Sequence, residues 1–565
     1  MERLIDALVP LQADNPLGLP IIRSVKEAVP VRGMNIRSGV FYVIPERQMR
    51  DYARMLWEHP RLGFLHKVRY HVLAAHLSNP PSPEPGRVLF PNKAVLVIYD
   101  YDNNIGYQVE ADFPVPKRVE LTPLKGQPDY FSEAEYQEAV QILTADPKYG
   151  EPLRRGIAYC SPAMPPVITE AAPESTWERI DVFPNYVPDH RMVNLLMHFQ
   201  SGSGREAEIG HFLIDMTDRR VSGHGTGGSD FYPTACGGPP PSGSCTNIGG
   251  TAWQALAWPA SNPVWSMLVR RPSASQSDGQ NYGAGVEVAD VFYNGRLVLK
   301  RGGMPVLNVF YNSSCGPYRD WLYSENCFKC TGTDLGNGLR FANAGSRAVT
   351  ICDDNNDTGN FRGVGIYEDT DGDLVLITEC SAGWYRYITG WRFSQSGVLK
   401  PRFLYGYTDS SCVCIGRLHN GYWRLHFALD GLGGLVVEES DSPRGGRREN
   451  WQPLRIEARR LRWPNRPMRW RVRKLSTGFT AEIVPSAKDG FHERTNTGEG
   501  DVWVVKARST EMIGSGGAFA NITQYVDGER TLNEDLVVWY GVHLRKRGAD
   551  NFECPPLGPD IYLSG

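Results

Sequence analysis

The sequence predicts an α+β protein that is mostly β. Its 565 residues include 59 glycines and 41 prolines, and 11% are aromatic, a composition that suits many short strands joined by turns. From about residue 190 onward, strand-like segments follow one another with turn residues between them. Two shorter segments before that point mix strands with helical runs. A chain of this length is enough for about two to four domains.

The two mixed segments are predicted to be small α+β modules that span residues 1–77 and 88–165. A proline-rich break, SNPPSPEPGR, lies between them. In the second module, Ser132 and Glu135 have the spacing of a capping box at a helix start. The large β domain is predicted to span residues 190–565, and its Asn294-Gly295 pair predicts a hairpin turn.

Charge and composition exclude several kinds of partner. The formal net charge is −3, so the sequence predicts neither nucleic-acid nor anionic-membrane binding. No apolar run approaches 18 residues, which predicts no membrane span. The N-terminal segment lacks the basic flank and apolar core of a secretory signal. The eleven cysteines show no regular framework, so free thiols and a cytoplasmic location are predicted.

One strand-like stretch, residues 373–408, carries an unusual aromatic run. Its distinctive residues are Trp384, Tyr385, Arg386, Tyr387, Trp391, Phe393 and Gly397. The stretch resembles the strand of copper amine oxidases that carries the cofactor tyrosine, with Tyr385 at the position that is oxidised to topaquinone. The segment VELTPLKGQP and the Ala-Asp-Pro tripeptide at the end of the next helix resemble the third domain of that family. The resemblance implies a copper-amine-oxidase-like large β-sandwich domain preceded by small α+β modules, and a homodimer.

The resemblance also implies that copper ligands are missing. Copper in that family is held by three histidines, whose imidazole nitrogens suit Cu(II). His419 fits the first position, but Gly421 stands at the second and Lys546 at the third. A rebuilt site of His419, His426 and His543 is the alternative. However, His426 follows His419 by an odd offset and is expected on the opposite face of a regular strand. We therefore predict no cofactor, the alternative being copper with topaquinone formed from Tyr385.

The catalytic base of the family lies in a motif that PYRDWLYSENCF resembles. Its aspartate position falls on Ser324, with Glu325 adjacent and Asp320 nearby. A neutral serine cannot abstract a proton unaided, whereas Glu325 could act if the loop shifts by one residue. Arg386 adds a cation that needs either a structural carboxylate or a ligand enolate or carbonyl. The catalytic candidates are Tyr385, Arg386, Ser324 and Glu325, and the substrate-binding candidates are Trp384, Tyr387, Tyr318, Leu322, Tyr323 and Asp320.

Two further patterns have competing interpretations. Cys327 and Cys330 have CxxC spacing, and Cys412 and Cys414 have CxC spacing, so a zinc site, a redox pair or free thiols are possible; free thiols are predicted. The basic run at 459–474 suggests nucleic acid in isolation. Because it resembles a strand of the family, we interpret it as structural.

The predicted function is that of a degenerate copper-amine-oxidase-like protein reused as a redox-neutral enzyme. Such a cyclase or isomerase would act on a hydrophobic small molecule in specialised metabolism. Its ligand is expected between the 318–328 loop and the 384–387 strand, with its polar end hydrogen-bonded to Arg386 or Tyr385. The alternatives are an active copper and topaquinone amine oxidase and a catalytically dead binding subunit.

Overall fold

The computed structural model describes residues 1–82, 84–124, 128, 132–163, 189–200, 206–226, 239, 245, 249–275, 283–311, 318–408, 410–445, 449–492, 500–508, 522–546 and 553–565. The helices are α1 Glu2–Leu8, α2 Glu46–Glu58, α3 Glu133–Ala145, α4 Glu151–Arg154 and α5 Ile351–Asp354. The strands are β1 Val29–Pro30, β2 Arg37–Val40, β3 Tyr70–Ser78, β4 Lys93–Asp100, β5 Ile105–Asp112, β6 Val119–Pro123, β7 Ala158–Ala163, β8 Met192–Gln200, β9 Glu206–Asp215, β10 Arg220–Thr226, β11 Gln254–Trp258, β12 Trp265–Arg270, β13 Glu287–Tyr293, β14 Arg296–Tyr311, β15 Tyr318–Asp320, β16 Gly332–Gly336, β17 Leu339–Ala342, β18 Val364–Glu368, β19 Leu374–Ala382, β20 Tyr385–Phe393, β21 Val398–Tyr407, β22 Arg417–Phe427, β23 Leu435–Ser440, β24 Gln452–Leu454, β25 Ala458–Arg460, β26 Arg469–Lys474, β27 Thr480–Val484, β28 Val502–Lys506, β29 Leu536–Lys546 and β30 Asp560–Ser564.

Two eleven-stranded sheets form the large domain. The first has the order β1-β2-β11-β12-β13-β14-β22-β29-β28-β25, with β15 paired to β14, and the second has the order β16-β17-β18-β19-β20-β21-β30-β27-β26-β23-β24. Apolar side chains from both sheets meet in one shared core, whose largest members are the fully buried Trp258, Trp265, Trp391, Trp423 and Trp470. The predicted fold class, a large β-sandwich preceded by small α+β units, is confirmed.

Two four-stranded sheets, β3-β4-β5-β6 and β10-β9-β8-β7, form the smaller units. Helix α3 packs Ala139, Ile142 and Leu143 into a core that both sheets share. Strand β3 pairs with β4, β7 pairs with β8, and β2 joins the first large sheet through β11. Hydrogen-bonded strand pairs therefore connect the segments that the sequence predicts to be separate modules.

Two local predictions can be compared with the backbone. The β13–β14 hairpin turns at Asn294 and Gly295, both with positive φ (47° and 75°), as an Asn-Gly turn requires, so this prediction is confirmed. At the start of α3 only half of the capping box forms. The Ser132 side chain accepts a hydrogen bond from the Glu135 amide at 3.2 Å, but the Glu135 carboxylate binds Arg191 at 2.9 Å instead of the cap.

The cysteines depart from the prediction. Disulfides join Cys245 to Cys327 and Cys352 to Cys554, and Cys412 and Cys414 are disulfide-bonded as well. Free thiols are therefore wrong for Cys327, Cys412 and Cys414, whereas Cys330 is free. The fold brings cysteines 82 and 202 positions apart to Cα separations of 5.8 and 5.6 Å, which spacing along the chain could not indicate. Since disulfides persist mainly in oxidising compartments, the cysteines give no support to a cytoplasmic location.

The basic run at 459–474 is largely neutralised by ion pairs. Arg460 pairs with Glu439 at 2.7 Å, and Arg471 and Arg473 both pair with Glu438. These contacts lie between strands of the β-rich domain, in keeping with a structural role. Among the described residues, no helix is long and apolar enough to cross a bilayer.

Candidate functional site

Tyr385 and Tyr387 point from β20 into the space between the two large sheets. Their common direction follows from the two-residue repeat of a strand. Tyr385 is buried, and its hydroxyl accepts a hydrogen bond from Tyr311 at 2.9 Å. The Trp384 indole donates to the same Tyr311 oxygen at 3.2 Å. Burial raises the pKa of Tyr385 to about 12, against the opposing effect of the Arg417 charge. Tyr385 is therefore a neutral phenol at physiological pH.

Asp320, Tyr387 and His419 form a hydrogen-bonded chain that joins both sheets. The Tyr387 hydroxyl donates a short hydrogen bond to the Asp320 carboxylate, and His419 Nε2 lies 3.1 Å from the same hydroxyl. Asp320 lies on β15 and His419 on β22, both in the first sheet, whereas Tyr387 belongs to the second. All three are buried, so the chain is shielded from bulk water at each of its groups.

Burial sets the protonation states of this chain. It raises the pKa of Asp320 to about 7, although the hydrogen bond from Tyr387 opposes the change. It lowers the pKa of His419 well below its usual value, and the charges of Arg417 and Lys546 add to the effect. The imidazole is thus neutral, and Asp320 exchanges its proton near neutral pH.

The His419 ring is clamped between aromatic side chains. It stacks on Tyr405 with centroids 3.8 Å apart, and the Tyr385 ring meets it edge-on at 4.6 Å. Its Nδ1 atom is buried and has no hydrogen-bond partner among the described residues. One end of the hydrogen-bonded chain therefore terminates at a ring nitrogen without a described hydrogen-bond partner, beside Tyr385.

Arg417 lies two residues before His419, so both side chains project from the same face of β22. It is fully buried, and its Nη1 donates to the Val413 and Ile415 carbonyls. Its Nε and Nη2 have no hydrogen-bond partner in the part of the chain that the structure describes. The guanidinium carbon lies 5.0 Å from the centre of the Tyr407 ring. The site thus contains a buried cation with two unused donors.

Arg386 points to the opposite face of β20, away from Tyr385 and Tyr387. Its guanidinium forms two hydrogen bonds with the Asp357 carboxylate, at 2.7 and 2.8 Å. Of the two alternatives for Arg386, the structure displays the salt bridge. The cation that faces the tyrosines is Arg417, which the motif comparison did not single out.

The loop candidates are distributed over different environments. Burial would raise the pKa of Glu325, but its bidentate pairing with Arg271 lowers it below the usual range, so the carboxylate is poorly suited to act as a base. The Ser324 carbonyl accepts from the Ser381 amide at 2.7 Å, which docks the loop on β19. Leu322 is buried in the sandwich core, and Tyr323 packs against that core. The Tyr318 side chain lies outside the described part.

The three candidate histidines do not converge on one point. His426 faces away from His419, as its odd offset predicts, and binds Asp535 at 2.9 Å. His543 contacts Asn420 at 2.6 Å and Asp501 at 3.2 Å on that other face of β22.

Gly421 and Lys546 lie at the positions where the sequence resemblance implies copper ligands. A side chain at Gly421 would meet Met304 Sδ within 3.0 Å of its Cβ, and Lys546 donates to the Glu553 carbonyl at 2.9 Å. The described clusters with three possible metal ligands lie elsewhere, at His190, Asp215 and Asp218 and at Glu457, Asp527 and Glu529. The residues around Tyr385 therefore do not fit a three-histidine copper centre.

Sequence reasoning missed Tyr311, Tyr405 and Arg417, and it placed Asp320 among binding residues rather than acid–base groups. One signal was present in the sequence, since Arg417 and His419 are two residues apart on a predicted strand. Tyr311 and Tyr405 gave no comparable signal, because their contacts with Tyr385 and His419 depend on how the sheets face each other.

Comparison with known proteins agrees with this architecture. No protein-family model and no curated protein matches the chain. Among solved structures, Pichia pastoris lysyl oxidase is similar, with a TM-score of 0.59 and 11% identity over 98% of this chain and 92% of the other. A copper-containing benzylamine oxidase from Hansenula polymorpha gives 0.55 and 13% over 94% and 92%. An Aspergillus nidulans amine oxidase gives 0.56 and 12% over 97% and 90%. Nearly the whole chain therefore has the copper-amine-oxidase-like fold, in a divergent form.

Proposed function

We propose that the protein is a redox-neutral enzyme, an isomerase or cyclase, that moves a proton on a hydrophobic small molecule bound beside Tyr385. The proposal includes an unmodified Tyr385 and no resident copper. The main support is the buried hydrogen-bonded chain Asp320–Tyr387–His419, which ends at an imidazole nitrogen without a described hydrogen-bond partner. A carboxyl whose pKa lies near 7 can both accept and return a proton at neutral pH.

Proton transfer along this chain is balanced. His419 Nδ1 accepts a proton from a carbon of the substrate, while Nε2–H passes its own proton to the Tyr387 oxygen. The Tyr387 hydroxyl proton moves to the Asp320 carboxylate. The imidazole stays neutral and changes tautomer, and the charge leaves Asp320 for the substrate. When the same proton transfers run in reverse, they protonate a different carbon of the substrate. The product is then an isomer, or a ring formed after enolisation.

Amine oxidation is less well supported by the same geometry. That reaction needs a metal-derived quinone and a carboxylate base in the motif at 318–328. Ser324 is neutral at the aligned position, and Glu325 is neutralised by Arg271. The aromatic walls of Tyr385, Tyr405 and Trp384 suit an apolar ligand, and placement in a fixed pose by itself lowers a barrier.

The test measures proton abstraction directly, with 4-phenyl-2-butanone as probe in D₂O. We expect the protein to accelerate deuterium uptake next to the carbonyl, and Asp320→Asn and His419→Gln each to reduce the rate by about 10²–10⁴-fold. Glu379→Gln is the matched control, because this buried carboxyl also has a pKa raised to about 7 but binds Asn326 and the Ile351 amide instead.

Three results would reject the proposal. Uptake no faster than in buffer would favour a binding subunit. An equal loss in Glu379→Gln would mean that the effect is structural. Copper near one equivalent with a visible quinone band, found by elemental analysis and quinone staining, would favour an amine oxidase.

A further inference from the structure

The geometry points to a buried oxyanion-binding site at Arg417, which takes the carboxylate or enolate oxygen of an aromatic or polyene acid. This inference deepens the proposed function and rests on it for the reaction, since it names the charge of the substrate. Binding is measured without turnover, so the two can fail separately.

The first support is the contrast between Arg417 and four other buried arginines, each of which has a carboxylate partner. Arg191 pairs with Glu135, Arg271 with Glu325, Arg386 with Asp357 and Arg462 with Asp501. Arg417 has no carboxylate within ion-pair distance among the described residues, and only Nη1 is used, by two backbone carbonyls. A buried charge without a counter-charge is costly, so a cation that lacks one among the described residues favours an anionic ligand at its unused donors.

The second support is the arrangement of the unused donors. Nε and Nη2 form one edge of the guanidinium, and this edge matches the two oxygens of a carboxylate or a chelated enolate. The Tyr405 hydroxyl is also buried, which raises the pKa of Tyr405, and it lies close to this guanidinium, whose charge and hydrogen bond both oppose that larger effect. Tyr405 stacks on His419, so a ligand oxygen held by these donors lies beside the ring that ends the proton chain.

The third support is the character of the surroundings. Arg417 lies against Tyr407, and its charge interacts with Tyr311, Tyr385 and Tyr405. These rings offer apolar faces for stacking and hydroxyls that donate, but no fixed negative charge. The site therefore selects a single negative charge attached to an unsaturated apolar body.

The test is a calorimetric titration with three probes: 4-phenylbutyrate, its uncharged amide, and the 1,3-diketone benzoylacetone. We expect the carboxylate to bind more tightly than the amide, and Arg417→Gln to weaken carboxylate binding about ten- to one-hundredfold while leaving amide binding unchanged. Tyr405→Phe keeps the ring and is expected to weaken the carboxylate less than tenfold. It keeps the test decisive if Arg417→Gln does not fold.

The remaining outcomes are equally definite. Tighter binding of benzoylacetone than of the carboxylate, with the same dependence on Arg417, identifies the enolate as the source of the oxyanion. Equal affinities of wild type and both variants for the carboxylate would overturn the inference, as would equal affinities of the wild type for acid and amide or no binding of any probe. None of these results depends on deuterium uptake, so a dead binding subunit could still support the site.

Discussion

Arg386 and Arg417 lie on strands of the same sandwich and are buried to a similar extent, yet their surroundings are opposite. Arg386 faces outward from β20 and is neutralised by Asp357. Arg417 faces the tyrosines between the sheets and has no described counter-charge. Burial is therefore a poor sign that an arginine acts on a ligand. A better indication of a ligand-binding arginine is a buried guanidinium that has no carboxylate partner among the described residues.

The largest expected effect on stability comes from breaking the Arg386–Asp357 ion pair. Arg386→Ala leaves the Asp357 carboxylate buried without the charge of Arg386, although Asn326 still donates to it at 2.8 Å, so we expect a loss of about 3–5 kcal/mol in the free energy of unfolding, measured by urea denaturation. The joint Arg386→Met, Asp357→Leu variant removes both charges and is expected to recover most of this loss. A loss below about 1 kcal/mol in Arg386→Ala would contradict the contrast between the two arginines.

A smaller effect is expected from pH. Because burial raises the pKa of Asp320 from 3.8 to about 7, the native state favours the protonated form. The stability that this group contributes is complete below about pH 4 and is lost as the pH rises through 7. Between pH 5 and pH 8, the free energy of unfolding measured with urea should fall by roughly 2 kcal/mol more in wild type than in Asp320→Asn.

Glu379 refines this comparison, because its pKa is also raised to about 7 by burial. Glu379→Gln should flatten the pH dependence of stability in the same direction as Asp320→Asn, while deuterium uptake is lost only in the Asp320 variant. Parallel pH curves for wild type and Asp320→Asn would show that Asp320 is already ionised well below pH 7.

The smallest effect is expected at Arg417. Arg417→Met removes a cation that has backbone carbonyl partners but no described carboxylate, and it keeps a long apolar stem, so the free energy of unfolding should change by less than about 1 kcal/mol. Carboxylate binding should nevertheless be lost, as measured by calorimetry on the same preparation. Destabilisation as large as that of Arg386→Ala would reveal a counter-charge within the chain and remove the contrast.

The fold was predictable because its signals are spread along the chain. Alternating strands, the Asn294-Gly295 turn and the order of motifs around Tyr385 each give a local signal, and the fold that they predict is found in solved structures of only 11–13% identity. The resemblance implies that a copper ligand is missing at position 421, where glycine has no side chain that could ligate.

The site was only partly predictable, because pairing partners are chosen by tertiary structure. Asp357 lies 29 positions from Arg386 in a different segment, and Arg271 lies 54 positions from Glu325. Either charge could have faced a ligand as far as the sequence alone shows. Strand alternation places Arg417 and His419 on one face of β22. The pairing of β15 with β14 brings Asp320 near them within the same sheet, and the packing of the second sheet brings Tyr387.

The Cys352–Cys554 bond has a practical consequence for every experiment above. It links positions 202 residues apart, and the segment between them contains Tyr385, Tyr387, Arg417 and His419. In protein produced in a reducing cytosol, Cys352 and Cys554 would be reduced, and the two ends of the segment would not be crosslinked. Expression through an oxidising secretory route, with free thiols counted before use, is therefore the appropriate source of material. An inactive batch is informative only when that count shows the crosslink to be formed.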